Sequence, residues 1–158
     1  MRTHLATKVI LNVYDLSEHN EYLYQFGFGL FHSGIQLNGL EYTFASGGGV
    51  QEVAPKYAPG AIFRESLQLG TFHGTSQELQ TVLDRLRSSF RGEDYDLLGK
   101  NCNSFAEALT EQLLGEGRFP GWVNRAAWVG SFFSCLLPKD STGQAPVGHS
   151  GGPSSSSR

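Results

Sequence analysis

The first half of the chain carries its apolar residues at short, strand-like intervals, and the second half carries them at helical spacing. Residues 8–16, KVILNVYDL, are rich in β-branched and apolar types with partial alternation and predict a strand. Ser17 to Gln25 suits one short helix, ended by Gly27 and Gly29. Residues 30–37, LFHSGIQL, and 40–45, LEYTFA, read as two strands. Asn38-Gly39 between them is the strongest short hairpin signal in the chain, because both residues accept the positive φ that a tight hairpin turn needs. Ser46-Gly47-Gly48-Gly49 reads as a flexible loop, and Pro55, Pro59 and Gly60 keep the next stretch irregular. Residues 61–69, AIFRESLQL, alternate well and predict a further strand.

The period changes at Thr75. Thr75-Ser76-Gln77-Glu78 fits a capping box, in which Thr75 caps the helix and Glu78 reaches back. Leu79, Val82, Leu83, Leu86 and Phe90 then recur on one helical face, and Gly92 sits where a C-terminal glycine belongs. A second helix is expected over roughly 102–114, with Cys102, Phe105, Ala106, Leu109 and Leu113 on its inner face. Either Asn101 or Ser104 suits its cap. Trp122 to Leu137 reads as a packed C-terminal helix in preference to a membrane-surface anchor, with Cys135 as a buried structural thiol. After Pro138 the composition turns to Gly, Ser and Pro, which bury too little apolar surface to offset their ordering entropy. The expected organisation is one domain over 1–137 and a disordered tail over 138–158. Strands first and helices second make an α+β chain, with helices packed on an antiparallel sheet.

Composition narrows the function classes. Hydrophobic residues are 39% of the 158, enough for a core. The 12 Lys and Arg are scattered against 15 Asp and Glu, so no basic stripe suits nucleic acid. No apolar run is long enough to span a bilayer, and the N-terminus has no signal-like apolar stretch. Two cysteines without a CxxC pair make no disulfide framework, which points to a reducing cytoplasmic setting, with the nucleus also open to it. No pair of Cys and His has metal-ligand spacing, and neither a phosphate loop nor a Gly-x-Ser-x-Gly elbow occurs, so no metal or cofactor is expected.

Cys102 is the sharpest chemical feature. It lies in Gly99-Lys100-Asn101-Cys102-Asn103-Ser104-Phe105, at the start of an amphipathic helix. Unfilled N–H groups and the helix dipole favour a thiolate there and offer donors to an oxyanion. Asn101 and Asn103 flank the sulfur as potential side-chain donors. A thiol nucleophile needs a base. His32 sits on a predicted strand, where a side chain is held firmly, although a half-buried structural histidine has the same pattern. His4 is near the chain end and His149 in the tail, while His19 and His73 are not excluded by spacing.

Five stretches together resemble the PPPDE family, also called the deSI (deSUMOylating isopeptidase) family. They are Leu11-Asn12-Val13-Tyr14-Asp15, Phe31-His32-Ser33-Gly34-Ile35, Phe90-Arg91-Gly92-Glu93, Asn101-Cys102-Asn103-Ser104-Phe105 and Trp122-Val123-Asn124-Arg125. The resemblance implies a circularly permuted papain-like fold, in which the histidine precedes the cysteine, as His32 precedes Cys102. It implies thiol isopeptidase action on ubiquitin-like conjugates, SUMO or ubiquitin, with His32 taking the Cys102 proton or the two resting as an ion pair. An acyl-protein thioesterase and a non-catalytic binder of ubiquitin-like proteins are the alternatives. The resemblance also allows a homodimer. The Gly47–Gly49 and 55–60 loops are expected to line the groove. For a third residue, Glu41, Thr43 and Asn12 all lie on predicted neighbouring strands, and none is preferred.

Overall fold

A computed structural model describes residues 4–16 and 29–124. Five strands form one antiparallel sheet: β1 (His4–Asp15), β2 (Phe31–Leu37), β3 (Leu40–Ala45), β4 (Gly49–Val53) and β5 (Ile62–Thr75), in the order β4-β3-β2-β1-β5. Two helices follow, α1 (Ser76–Ser89) and α2 (Cys102–Leu114), with one 3₁₀ turn at Gly92–Asp94 between them. The α+β expectation holds, with both helices contributing to a single apolar core.

That core follows from alternation. Val9, Leu11 and Val13 of β1, Phe31, Ile35 and Leu37 of β2, and Tyr42 and Phe44 of β3 point to the helical side. Leu79, Leu83 and Leu86 of α1 and Phe105, Ala106, Leu109 and Leu113 of α2 meet them, as the helical spacing predicts. The opposite sheet face carries Asn12, Tyr14, His32, Gly34, Glu41 and Thr43, which the register places side by side.

The β2–β3 hairpin turns at Asn38 and Gly39, with φ of 50° and 82°, as the Asn-Gly signal requires. Thr75 caps α1 with both arms of the capping box formed. Asn101, not Ser104, caps α2: its side chain accepts from the Asn103 and Ser104 N–H groups, and Ser104 closes the box.

Several expectations need correction. The Gly-rich loop is only a turn, and Gly49–Val53 beyond it is an edge strand. Its polar Gln51 and Glu52 are exposed, which disguised it as a loop. The strand predicted over 61–69 runs on to Thr75, because β1 pairs with it all the way back to His4. Gly70 and Gly74 hide that extension in the sequence; the ladder overrides their low strand propensity. Gly92 is not the end of α1, whose C-cap is Phe90. It opens the 3₁₀ turn and lies so close to Gly47 that a Cβ would meet the Gly47 carbonyl. The predicted 17–25 helix, the 125–137 part of the C-terminal helix, Cys135 and the 138–158 tail lie outside the described residues. Val123 is fully buried in the core. Among the described residues no helix is long and apolar enough to cross a membrane.

Candidate active site

The site is built where one ladder stops. β2 and β3 pair from the turn through Leu37↔Leu40, Gln36↔Glu41 and Ile35↔Tyr42 and no further. In a two-residue hairpin the next bonded pair would be Ser33 with Phe44. β3 instead diverges, and the backbone groups of Phe31 and Ser33 face the gap. The N-terminus of α2 fills it. Asn103 Nδ2 donates to the Phe31 carbonyl at 2.9 Å, Thr43 Oγ1 donates to the Ser33 carbonyl at 3.4 Å, and the Ser33 N–H faces the Cys102 sulfur. The thiol thus stands where a strand carbonyl would have stood.

Asn103 holds the arrangement together. Its Nδ2 also donates to the Val123 carbonyl at 3.3 Å, and its Oδ1 accepts from Ser33 Oγ at 2.6 Å. One buried amide therefore ties the residues on both sides of His32 to the helix that carries Cys102. The sulfur itself lies 3.8 Å from Asn103 Oδ1. Asn103 offers the sulfur no amide donor, because both its N–H bonds go to the Phe31 and Val123 carbonyls, and Asn101 Nδ2 donates to the Leu97 carbonyl at 2.9 Å.

Burial pushes the Cys102 thiol up. The N–H groups of Ser33, Asn103 and Cys102 and the hydroxyl of Tyr95 pull the other way, since each favours the thiolate. Tyr95 is the functional candidate that sequence reading missed. It lies in the loop before α2, half-buried, and its ring packs 5.1 Å from that of Phe44, on the diverging end of β3. An aromatic residue seven positions before Cys102 was the available signal, but only the folded loop turns it back onto the sulfur.

His32 stands on the sheet face opposite the helices, beside the same gap. Its ring lies 5.4 Å from that of Tyr14, and its Nε2 is 3.4 Å from Thr43 Oγ1. Thr43 Oγ1 lies at the same 3.4 Å from the Ser33 carbonyl, so either tautomer of the imidazole fits this contact. Of the three third-residue candidates, Thr43 is thus the one that touches His32. Burial lowers the His32 pKa, so the ring is neutral near pH 7. No hydrogen bond joins it to Cys102 among the described residues. Both shifts favour the uncharged forms.

Glu41 and Asn12 reach His32 only indirectly. The Glu41 carboxylate is fully buried and accepts from Asn12 Nδ2 at 2.7 Å, from the Tyr14 hydroxyl and from the Lys56 N–H at 3.1 Å. It lies over Gly34, where no Cβ would fit. This network fixes Tyr14, the ring against which His32 rests. His4 and His73 are remote. His73 pairs with Ala6 and His32 with Tyr14, eight residues apart on β1, or about 26 Å at about 3.3 Å per residue. His19 lies outside the described residues.

Two clefts flank the gap and share Leu16. One, about 260 Å³, runs beside Cys102 along Leu30, Phe31, Tyr95, Leu97 and Leu98. The other, about 210 Å³, holds His32, Thr43 and the Tyr57–Pro59 segment. The 55–60 loop lines a cleft as expected. The Gly47–Gly49 turn does not: Gly47 N–H donates to the Gly92 carbonyl at 2.9 Å and packs away from the site. Among the described residues no cluster of three His, Cys, Asp or Glu could hold a metal ion.

The family profile described as "PPPDE putative peptidase domain" matches residues 7–141. The chain belongs to the PPPDE peptidase family. It is similar to a DeSI-like protein of Arabidopsis thaliana, 47% identical over 84% of this chain and 61% of that protein. It is 36% identical to a desumoylating isopeptidase 1 homolog of Caenorhabditis elegans, over 77% of this chain and 38% of the other. A DeSI-like protein of Schizosaccharomyces pombe is 33% identical over 82% of this chain and 68% of its own length. The chain thus spans about three fifths of the plant protein and under two fifths of the worm protein. The PPPDE match covers every residue of the gap, from Tyr14 to Val123.

Proposed function

We propose that the chain is a cysteine isopeptidase that cleaves the bond between a ubiquitin-like modifier, SUMO or ubiquitin, and a target lysine. The observation that carries this reading is the seating of Cys102 at the first turn of α2 against Ser33, the residue beside His32. His32 takes the thiol proton as the sulfur attacks the carbonyl carbon. The N–H of Cys102 donates to the oxygen that gains the charge. His32 then returns the proton to the leaving lysine amine, and water hydrolyses the acyl-thioester. The catalytic unit runs over residues 1–137, with 138–158 as an appended tail. The choice of a ubiquitin-like modifier rests on the names of the relatives.

SUMO and ubiquitin carrying a C-terminal propargyl group provide the test. An adduct on Cys102 with one modifier preferred is the expected result, and it names the partner. Cys102→Ala should abolish the adduct and turnover while leaving the fold intact; a fully active variant would remove Cys102 as nucleophile.

A second reading has its own observation. The cleft beside Cys102 is lined by Leu16, Leu30, Leu97 and Leu98, and the first three are about half exposed. Such a wall suits an acyl chain, so the same pair would serve as an acyl-protein thioesterase. Release of a fatty acyl group from an S-acylated peptide, with no modifier adduct, would favour it.

A further inference from the structure

Beside Asn103 Oδ1, the buried sulfur has three backbone N–H groups and one side-chain hydroxyl that favour its thiolate form. We propose that this hydroxyl, that of Tyr95, is the side-chain donor of the oxyanion hole, acting with the Cys102 N–H on the carbonyl oxygen of the substrate. The proposal rests on Cys102 being the nucleophile and adds a catalytic residue to it.

Three observations carry it. Tyr95 and Cys102 line the same cleft, and the Tyr95 hydroxyl is the side-chain group that favours the thiolate form of the sulfur. The amide next to the sulfur in sequence, that of Asn103, spends both its N–H bonds on the Phe31 and Val123 carbonyls, and Asn101 Nδ2 donates to the Leu97 carbonyl. The Tyr95 ring is fixed by the diverging end of β3 through Phe44. The loop behind it is also tied down: Asp96 and Lys100 exchange two backbone hydrogen bonds of 2.9 Å, and Asp96 Oδ1 accepts from the Leu98 and Gly99 N–H groups. A donor held this firmly needs no reorganisation when charge develops.

The step balances as follows. The thiol proton goes to His32, the sulfur forms a bond to the carbonyl carbon, and the C=O π pair moves onto oxygen. Negative charge thereby passes from sulfur to an oxygen one bond further from it. The Tyr95 hydroxyl follows it, donating throughout and keeping its proton. Burial and the neighbouring thiol push the Tyr95 pKa up to about 12, so the hydroxyl remains a donor across the working pH range. When the oxyanion collapses, C=O re-forms, the bond to the leaving group breaks, and the His32 proton completes that group.

Two small reagents separate this role from support of the thiolate. Acylation of Cys102 by 4-nitrophenyl acetate passes through an oxyanion, whereas alkylation by iodoacetamide does not. Both rates are read by mass spectrometry of the Cys102 peptide, on the wild-type chain and Tyr95→Phe, which keeps the ring against Phe44. We expect acylation to fall about 10²–10³-fold, as for loss of one oxyanion donor, while alkylation at a pH above the thiol midpoint changes less than threefold. Equal losses in both reactions would make Tyr95 a thiolate partner only, and retained acylation would overturn any role. An unreactive wild-type Cys102, or labelling that persists in Cys102→Ala, would instead sink the nucleophile assignment on which the proposal stands.

Discussion

Three residues, Cys102 with His32 and then Asn103, shape the gap, and their roles are open to direct tests. The Cys102 thiol is pushed up by burial while burial lowers His32, and both shifts favour a neutral resting pair. Iodoacetamide alkylation of the wild-type protein should therefore rise with a midpoint above the ordinary thiol value of about 8.5. A rate already on a plateau at pH 5 would mean an ion pair and refute the burial argument. Asn103 is the third residue. Asn103→Ala removes the amide that the Phe31 and Val123 carbonyls and the Ser33 hydroxyl share inside the core. A lost buried hydrogen bond costs about 1–3 kcal/mol, less whatever water recovers. We expect at least about 1 kcal/mol lost in urea unfolding and a fall in Cys102 acylation larger than that of an exposed control such as Gln80→Ala. Full activity would show that α2 holds its register on β2 without the amide.

At the scale of elements, the sequence displayed what is locally encoded and hid what depends on pairing. The Asn38-Gly39 turn and the Thr75–Glu78 box are short-range chemistry, and both formed where they were read. So did the inner faces of α1 and α2, because burial on one side imposes a 3.6-residue period. β4 was missed because an edge strand with Gln51 and Glu52 in solvent needs no apolar alternation. Cys102 and His32 were legible as residue types in favourable settings. The gap that brings their segments together was not, since nothing local says that β3 leaves β2 after Tyr42. Tyr95 was hidden for the same reason. The Gly92 contact is another long-range item of this kind, and it yields a paired prediction. Gly92→Ala drives a Cβ into the Gly47 carbonyl and to 2.8 Å from the Gly49 nitrogen, both backbone. It should destabilise by about 1–3 kcal/mol in urea unfolding, as overpacking does. Gly48→Ala meets only the end of the Gln51 side chain, which swings aside, and should be near neutral. Equal effects would show that the turn does not dock on the 3₁₀ segment in the way described.

For the molecule as a whole, the same buried groups that serve the candidate chemistry shape stability against pH. The lowered His32 pKa means that the unfolded chain binds its proton first as pH falls. Stability from this group is complete above the unfolded value of about 6.5 and is lost as pH drops from there through the folded value. Cys102, Tyr14 and Tyr95 are shifted the other way, each chiefly by burial. Their contribution is complete below the unfolded thiol and phenol values, about 8.5 and 10, and is lost as pH rises beyond them. The fold should therefore be most stable between these limits, with separable limbs. Urea midpoints measured from pH 5 to 10 test this against two variants. His32→Asn, which has no proton to gain, should flatten the limb between pH 6.5 and 5 while leaving the alkaline limb in place. Cys102→Ala should do the reverse, shortening the decline that begins near pH 8.5. If His32→Asn kept the full acid slope, protonation elsewhere would govern the acid limb, and the buried neutral imidazole on which the proton transfer depends would lose its thermodynamic support.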